Sequence, residues 1–309
     1  MLASIPISAS AALLKDQRIN IEGHERTFDI YLPKRRSGKP MPLVLLLHGH
    51  GGDADTMTGE NKRTAPYKAW LSIAEREGWI VLVPDGEIGP DKYRGWNDCR
   101  RDATSNPSTD DVKFLNVLVD SVSRKYPVDK KRIYAHGTSN GGHMAYRLAL
   151  ESTEKFSAIA AVVAAMPRNN ACEKPTGPIS VLIMNGTTDP ILPYNGGGVG
   201  RRNSHKEARG IVLSTAHTVK YWLANNGITS NPTVKYLQNF NKSDDSSVVV
   251  KQYVGGQNNT EVILYEVRGG GHTEPSLNEY YGWLYRKIVG NQNKDTEMAE
   301  EVWKFFERH

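Results

Sequence analysis

The sequence predicts an α/β protein with a mostly parallel central sheet flanked by helices. Two observations carry this. Short aliphatic runs alternate along the chain with segments whose apolar residues recur every three or four positions, the signature of strand–helix units. The run Leu43–Leu47 is apolar at every position, as a strand buried on both faces requires.

The elements follow in order. Phe28–Leu32 reads as a strand ended by Pro33, and Leu43–Leu47 as the first long core strand. Tyr67–Glu77 is helical, with Trp70, Leu71 and Ala74 on one side and Gly78 as the stop. Ile80–Val83 is the next strand. Thr109 or Asp110 caps a helix carrying Val112, Leu115, Val119 and Val122, which Pro127 ends. Arg132–Ala135 is a short strand and Asn140–Leu150 a helix. Strands are expected at Ala158–Val163 and Ser180–Met184, then a helix over Ala208–Asn225 that stops near Gly227. Val248–Val254 and Val262–Val267, joined through a Gly-Gly turn, are strands near the sheet edge. Asp295–Glu307 closes the chain as a helix with Met298, Val302, Phe305 and Phe306 facing inward.

A chain of 309 residues fits one large domain and needs neither disulfide nor metal to bury a core. Residues 1–18 read as an N-terminal tail and 19–309 as a single α/β domain. The tail is apolar, with Ala9-Ser10-Ala11 like a cleavage site but no basic leading segment, so it is at best the remnant of a signal peptide. The net charge of +5 is spread in short clusters such as Lys34-Arg35-Arg36, Lys130-Lys131-Arg132 and Arg201-Arg202. That pattern is a solvated surface and not the dense basic stripe of a nucleic-acid binder. No apolar run approaches the ~20 residues needed to cross a bilayer. Neither nucleic acid nor a membrane is expected as a partner. Two cysteines, Cys99 and Cys172, fit either one disulfide or two free thiols.

Gly137-Thr138-Ser139-Asn140-Gly141 lies between the strand Arg132–Ala135 and the helix that follows. In that context a G-x-S-x-G is a nucleophile elbow, a strained turn that lifts a serine hydroxyl above the sheet edge. The flanking glycines avoid collision with strand and helix. Serine alone is a weak nucleophile, so a base and an orienting acid must follow, in the order Ser, Asp or Glu, His. His143 lies one helical turn beyond the serine, His205 in a Gly/Arg-rich loop, and His217 within a helix. His272 follows a strand and the run Gly269-Gly270-Gly271, which suits a general base. Asp189 follows Ser180–Met184 and is the candidate acid, whereas Asp244 and Asp245 sit in a polar loop and Asp85 precedes the serine. The oxyanion donors are expected to be the amides of Asn140 and of His50, the latter in His48-Gly49-His50-Gly51-Gly52. His48 and His50 lack the acidic or cysteine partner that would complete a familiar metal spacing, so no metal is expected. Trp96, Tyr194 and Trp283 are the candidate substrate-binding aromatics.

Together with Gly95-Trp96-Asn97, Asp110-Asp111-Val112, Asn185-Gly186-Thr187-Thr188-Asp189, Gly270-Gly271-His272 and the helix through Trp303-Lys304-Phe305-Phe306, this ordered set resembles the polyhydroxybutyrate depolymerase-like esterases. These are α/β-hydrolases that include single-domain feruloyl and acetyl-xylan esterases. The resemblance runs from about Ile19 to the C-terminus. It implies a secreted or periplasmic serine ester hydrolase without cofactor, using Ser139, Asp189 and His272, and it implies a Cys99–Cys172 disulfide. Feruloyl or acetyl-xylan esters are the expected substrates, with polyester depolymerisation as an alternative. Acyl transfer to a sugar or thiol would use the same three residues. A non-catalytic carbohydrate-binding protein would have only the Tyr280–Tyr285 cluster as its platform. Two departures stand beside the expected site. Glu274 occupies the position, two after the histidine, where the family often has tryptophan, and the insert Leu277–Asn293 is longer than the usual loop.

Overall fold

The computed structural model describes residues 11–34, 39–61, 64–200 and 209–309. Residues 1–10, which hold most of the cleavage-like Ala9-Ser10-Ala11, lie outside the described residues, as do Arg35, Arg36, Arg201, Arg202 and His205.

In chain order the elements are β1 (Ala12–Ile21), β2 (His24–Leu32), β3 (Met41–Leu47), α1 (Ala54–Thr58), α2 (Ala69–Glu77) and β4 (Ile80–Pro84). A two-strand hairpin, β5 (Glu87–Ile88) and β6 (Arg94–Gly95), precedes α3 (Asp111–Lys125) and β7 (Val128–Thr138). Next come α4 (Asn140–Glu151), β8 (Ala158–Val162), β9 (Ser180–Gly186), a small ribbon of β10 (Gly197–Gly198) with β11 (Ile211–Val212), and α5 (Thr215–Asn226). The chain finishes with β12 (Thr233–Tyr236), β13 (Ser247–Tyr253), β14 (Val262–Arg268), α6 (Trp283–Val289) and α7 (Met298–Phe306).

Ten strands form one sheet in the order β1-β2-β4-β3-β7-β8-β9-β14-β13-β12. The six central strands, β4 to β14, are parallel; β1–β2 on one flank and β13–β12 on the other are antiparallel. The period-two alternation of a strand sorts the aliphatic run of β3 into two cores. Leu43, Leu45 and Leu47 pack with Leu115 and Val119 of α3 and Met144 of α4, while Val44 and Leu46 pack with Trp70 and Ile73 of α2 and Phe305 and Phe306 of α7.

The chain runs outward from β3 to β4, then returns to place β7 on the other side of β3. Such a reversal opens a crevice at the carboxyl ends of the two strands, where α/β sheets bind ligands. The loop after β3 and the turn after β7 therefore meet there, with Leu47 paired to Gly137.

Three expectations change. Residues 12–18, assigned to the tail, are strand instead: β1 starts at Ala12 and pairs with β2, so the sheet begins before position 19. The helix expected from Ala208 begins at Thr215, because Gly210 at φ +76° bends the chain, Ile211–Val212 form a strand, and the Ser214 side chain caps the helix. The closing helix likewise starts at Met298 and not at Asp295, whose carboxylate is occupied accepting the amides of Phe240 and Asn241. The insert 277–293 contains a helix of its own, α6. Among the described residues no helix is long and apolar enough to cross a membrane.

Candidate active site

Ser139 is the single residue between the end of β7 and the start of α4, at φ 51° and ψ −118°. A non-glycine residue there costs about 1–3 kcal/mol and persists only where its surroundings over-determine it. They do so here: the Ser139 amide donates to Val162 O at 2.9 Å, and its carbonyl accepts the His143 amide at 2.9 Å. The glycines on either side are steric requirements. A Cβ on Gly137 would lie 2.1 Å from Gly141 O, and one on Gly141 would lie 2.1 Å from Leu47 O.

Three remote segments converge on this turn. His272 Nε2 lies 3.0 Å from Ser139 Oγ, and His272 Nδ1 lies 2.7 Å from Asp189 Oδ2. The other oxygen of Asp189 accepts the amides of Ile191 and Leu192 at 2.7 and 2.8 Å, which fixes the carboxylate. With the carboxylate on Nδ1, that nitrogen carries the proton and Nε2 is left to accept from the serine. Burial works against a charged His272 imidazole. The charge and hydrogen bond of Asp189 outweigh it, with help from Glu274, and hold the histidine above its ordinary pKa. The histidine loop is pinned by the insert: Gly271 N donates to Asn291 O at 2.8 Å and His272 N to Val289 O at 2.6 Å.

The two expected oxyanion residues flank the serine. Asn140 opens α4, so its amide points from a helix N-terminus. His50 lies in the loop after β3, where a Cβ on Gly49 would come 3.5 Å from Ser139 Cβ. Burial and the Arg209 charge push the His50 imidazole down to about 4, so it is neutral. Its Nε2 lies 3.0 Å from Asp91 Oδ2 but without hydrogen-bond alignment. His48 has both ring nitrogens occupied, Nδ1 against Gly49 O at 2.7 Å and Nε2 accepting from Gly86 N at 2.9 Å, so it is a loop brace.

The structure gives the Asn140 side chain work that the sequence did not suggest. Its Oδ1 accepts Trp96 N at 2.7 Å, and its Nδ2 donates to Trp96 O at 3.1 Å and to Asp98 Oδ2 at 2.7 Å. Asp98 is buried, a penalty offset by the Arg100 guanidinium, which holds its carboxyl below the usual range. The Cys99–Cys172 disulfide ties this same loop to the segment after β8, beside the bond from Ala171 N to Cys99 O at 2.8 Å.

A cavity of about 640 Å³ opens over Ser139 and His272. None of the three expected substrate-binding aromatics lines it. Trp96 is fully buried, and its indole Nε1 donates to His48 O at 2.9 Å. It therefore braces the loop that follows β3. Tyr194 is half-buried beside Glu266, which accepts its hydroxyl at 3.3 Å. Trp283 is 62% exposed on α6. The walls instead carry Tyr67, Tyr281, Tyr285, Glu274, Ile191 and Arg209.

Glu274 is buried and accepts hydrogen bonds from Thr138 Oγ1 and from Tyr281 OH, the latter at 2.6 Å. Burial, then the Glu274 charge, holds the Tyr67 and Tyr281 phenols protonated well above their ordinary range. The departure from tryptophan at position 274 was visible in the sequence. Its bond to Thr138 was not, because that residue comes from a distant segment.

The fold and its crevice define an α/β-hydrolase, and comparison with known proteins agrees. The profile of the family described as "Putative esterase" matches residues 19–209. The chain belongs to that family and is an ester hydrolase. "Putative esterase NocK" of Nocardia uniformis subsp. tsuyamanensis is 28% identical over 296 residues, covering 94% of this chain and 81% of that protein. "Feruloyl esterase B" of Piromyces equi is 29% identical over 243 residues, covering 76% of this chain but only 40% of that enzyme. The solved acetyl xylan esterase from Aspergillus awamori superposes with a TM-score of 0.50 at 16% identity, covering 86% of this chain and 94% of that one. That likeness concerns the fold.

Proposed function

We propose that the protein is a serine carboxylic-ester hydrolase working through an acyl-enzyme, with feruloyl or acetyl-xylan esters of the plant cell wall as its substrates. The observation that carries the mechanism is the hydrogen-bonded line from Ser139 Oγ through His272 to Asp189, at 3.0 and 2.7 Å. His272 Nε2 takes the hydroxyl proton as Ser139 Oγ attacks the ester carbonyl. Asp189 stabilises the imidazolium and keeps its ring oriented. The amides of Asn140 and His50 hold the negative oxygen of the tetrahedral intermediate. The alcohol leaves with the proton from His272, and water then repeats the sequence on the acyl-enzyme.

Support for the substrate class comes from the relatives and from the cavity. Feruloyl esterase B and the bifunctional acetylxylan esterase/xylanase XynS20E of Neocallimastix patriciarum align with this chain, which spans 40% and 23% of their lengths. The volume and the tyrosine walls suit a planar phenolic acyl group. The disulfide supports an oxidising compartment, so the protein is read as secreted or periplasmic.

The test is hydrolysis of methyl ferulate, p-nitrophenyl acetate, acetylated xylan and a hydroxybutyrate oligomer by the wild type and by Ser139→Ala. Preference for methyl ferulate or acetylated xylan, lost with Ser139, is expected. Preference for the hydroxybutyrate oligomer would move the substrate to polyesters, and full activity of Ser139→Ala would overturn the mechanism.

A further inference from the structure

The cavity over Ser139 is electrically divided. At one end the charge acting on the tyrosines Tyr67, Tyr281 and Tyr285 is that of Glu274. At the other end the charges acting on His50 are those of Arg209, Asp91 and Arg100. These cationic groups are not equivalent. Arg100 is buried and spent, since its Nε and Nη2 are bound to Asp98 and its Nη1 donates to Arg209 O at 2.7 Å. Arg209 lines the cavity half-buried, and among the described residues no carboxylate lies within ion-pair distance of it. Burial disfavours its charge and lowers its pKa, with Arg100 adding to the effect and Asp91 opposing it. Removing a guanidinium from water without a partner is unfavourable, and the cost is recovered when an anion binds. The neighbouring His50 is neutral and does not compete for that anion.

We propose that Arg209 is the anion-binding residue of this cavity, and that the preferred substrates are esters whose molecule also carries a free carboxylate, such as an ester on an acidic saccharide or a hemiester. The inference rests on the reading of Ser139 and His272 as the reacting pair only in so far as it places the ester over them. The carboxylate pairs with the Arg209 guanidinium, for which a planar two-pronged geometry is available. The uncharged, hydroxylated remainder lies toward Thr138, Tyr281 and Glu274, whose carboxylate, held by hydrogen bonds from the other two, repels a second anion. Arg209 is thus a specificity-determining residue, separate from the oxyanion donors.

Equilibrium binding to the Ser139→Ala protein tests this without turnover. Two matched pairs are titrated by calorimetry: monomethyl against dimethyl glutarate, and acetoxyacetate against its methyl ester. These place the carboxylate on the acyl and the alcohol side. At least one anionic member should bind about ten-fold or more tightly than its neutral partner, with a preference that falls as salt is added. In the Ser139→Ala, Arg209→Gln double variant that preference should vanish, and Arg209→Lys should retain part of it. Equal binding within both pairs, or a preference unchanged by Arg209→Gln, would overturn the proposal. Neither outcome bears on Ser139, whose role is read separately from the turnover of neutral esters by the wild type.

Discussion

Replacing Asn140 by alanine separates what its amide does from what its side chain does. The backbone N–H at the head of α4 survives the change. The side chain is 3% exposed and makes two neutral hydrogen bonds to the Trp96 backbone and one to the ionised Asp98. At about 1 kcal/mol for each neutral bond and 1.5–3 for the charged one, the loss is roughly 4 kcal/mol. That is a large part of the ~5–15 kcal/mol by which a domain is stable, and corresponds to a fall in Tm of about 10 °C. Catalysis should fall too, because Trp96 carries the His48 carbonyl and hence the loop of the second donor. With both amides present but displaced, the drop in kcat should be smaller than the about 10²–10³ seen when a donor is removed outright. Thermal unfolding followed by circular dichroism, together with steady-state kinetics on p-nitrophenyl acetate, measures both. A stability change below about 1 kcal/mol would refute the claim that this side chain braces the loop.

The raised pKa of His272 means that it is protonated, and useless as a base, up to a higher pH than free histidine, so kcat/KM should fall on acidification through a pKa above about 6.5. Glu274→Gln removes a charge that raises it, and the acidic limb of the pH–rate profile should move to lower pH; an unmoved limb would contradict that role. Opening the Cys99–Cys172 disulfide, whose ends are 73 positions apart, should cost roughly 4 kcal/mol by the loop-entropy relation, read as a shifted denaturation midpoint in Cys99→Ser, Cys172→Ser. Gly141→Ala places a methyl 2.1 Å from Leu47 O, so the elbow must distort, and kcat should fall by at least about ten-fold with several kcal/mol of stability. Near-wild-type kinetics in that variant would contradict the packing described for the turn.

The central strands were legible because burial on both faces leaves no polar position, as in Leu43–Leu47, all of which are buried. The outermost strand on each flank was not. Ala12–Ile21 is an edge strand of half-buried and exposed residues, and every residue of Thr233–Tyr236 is exposed, so neither carries the core signal. The early start given to α5 came from extending an apolar pattern across Gly210, whose left-handed φ only the structure reveals. Ser139, Asp189 and His272 could be picked out because each follows a core strand, and a strand's carboxyl end fixes where its loop emerges. The cavity walls had no such index. Tyr67, Tyr281 and Arg209 come from three separate stretches of the chain, and what brings them together is tertiary packing. Trp96 was misassigned for the same reason: its place beside a glycine-rich loop is evident from sequence, but the direction of its ring, into the core and onto His48 O, is not.

The most direct test of the account is to trap the acyl-enzyme. The protein is quenched in acid during turnover of a p-nitrophenyl ester, digested, and its peptides weighed by mass spectrometry. The account predicts one acyl adduct, on Ser139, that is absent from Ser139→Ala and forms far more slowly when His272 is replaced by a residue unable to take the serine proton. An adduct on any other residue, or undiminished turnover by Ser139→Ala, would contradict it.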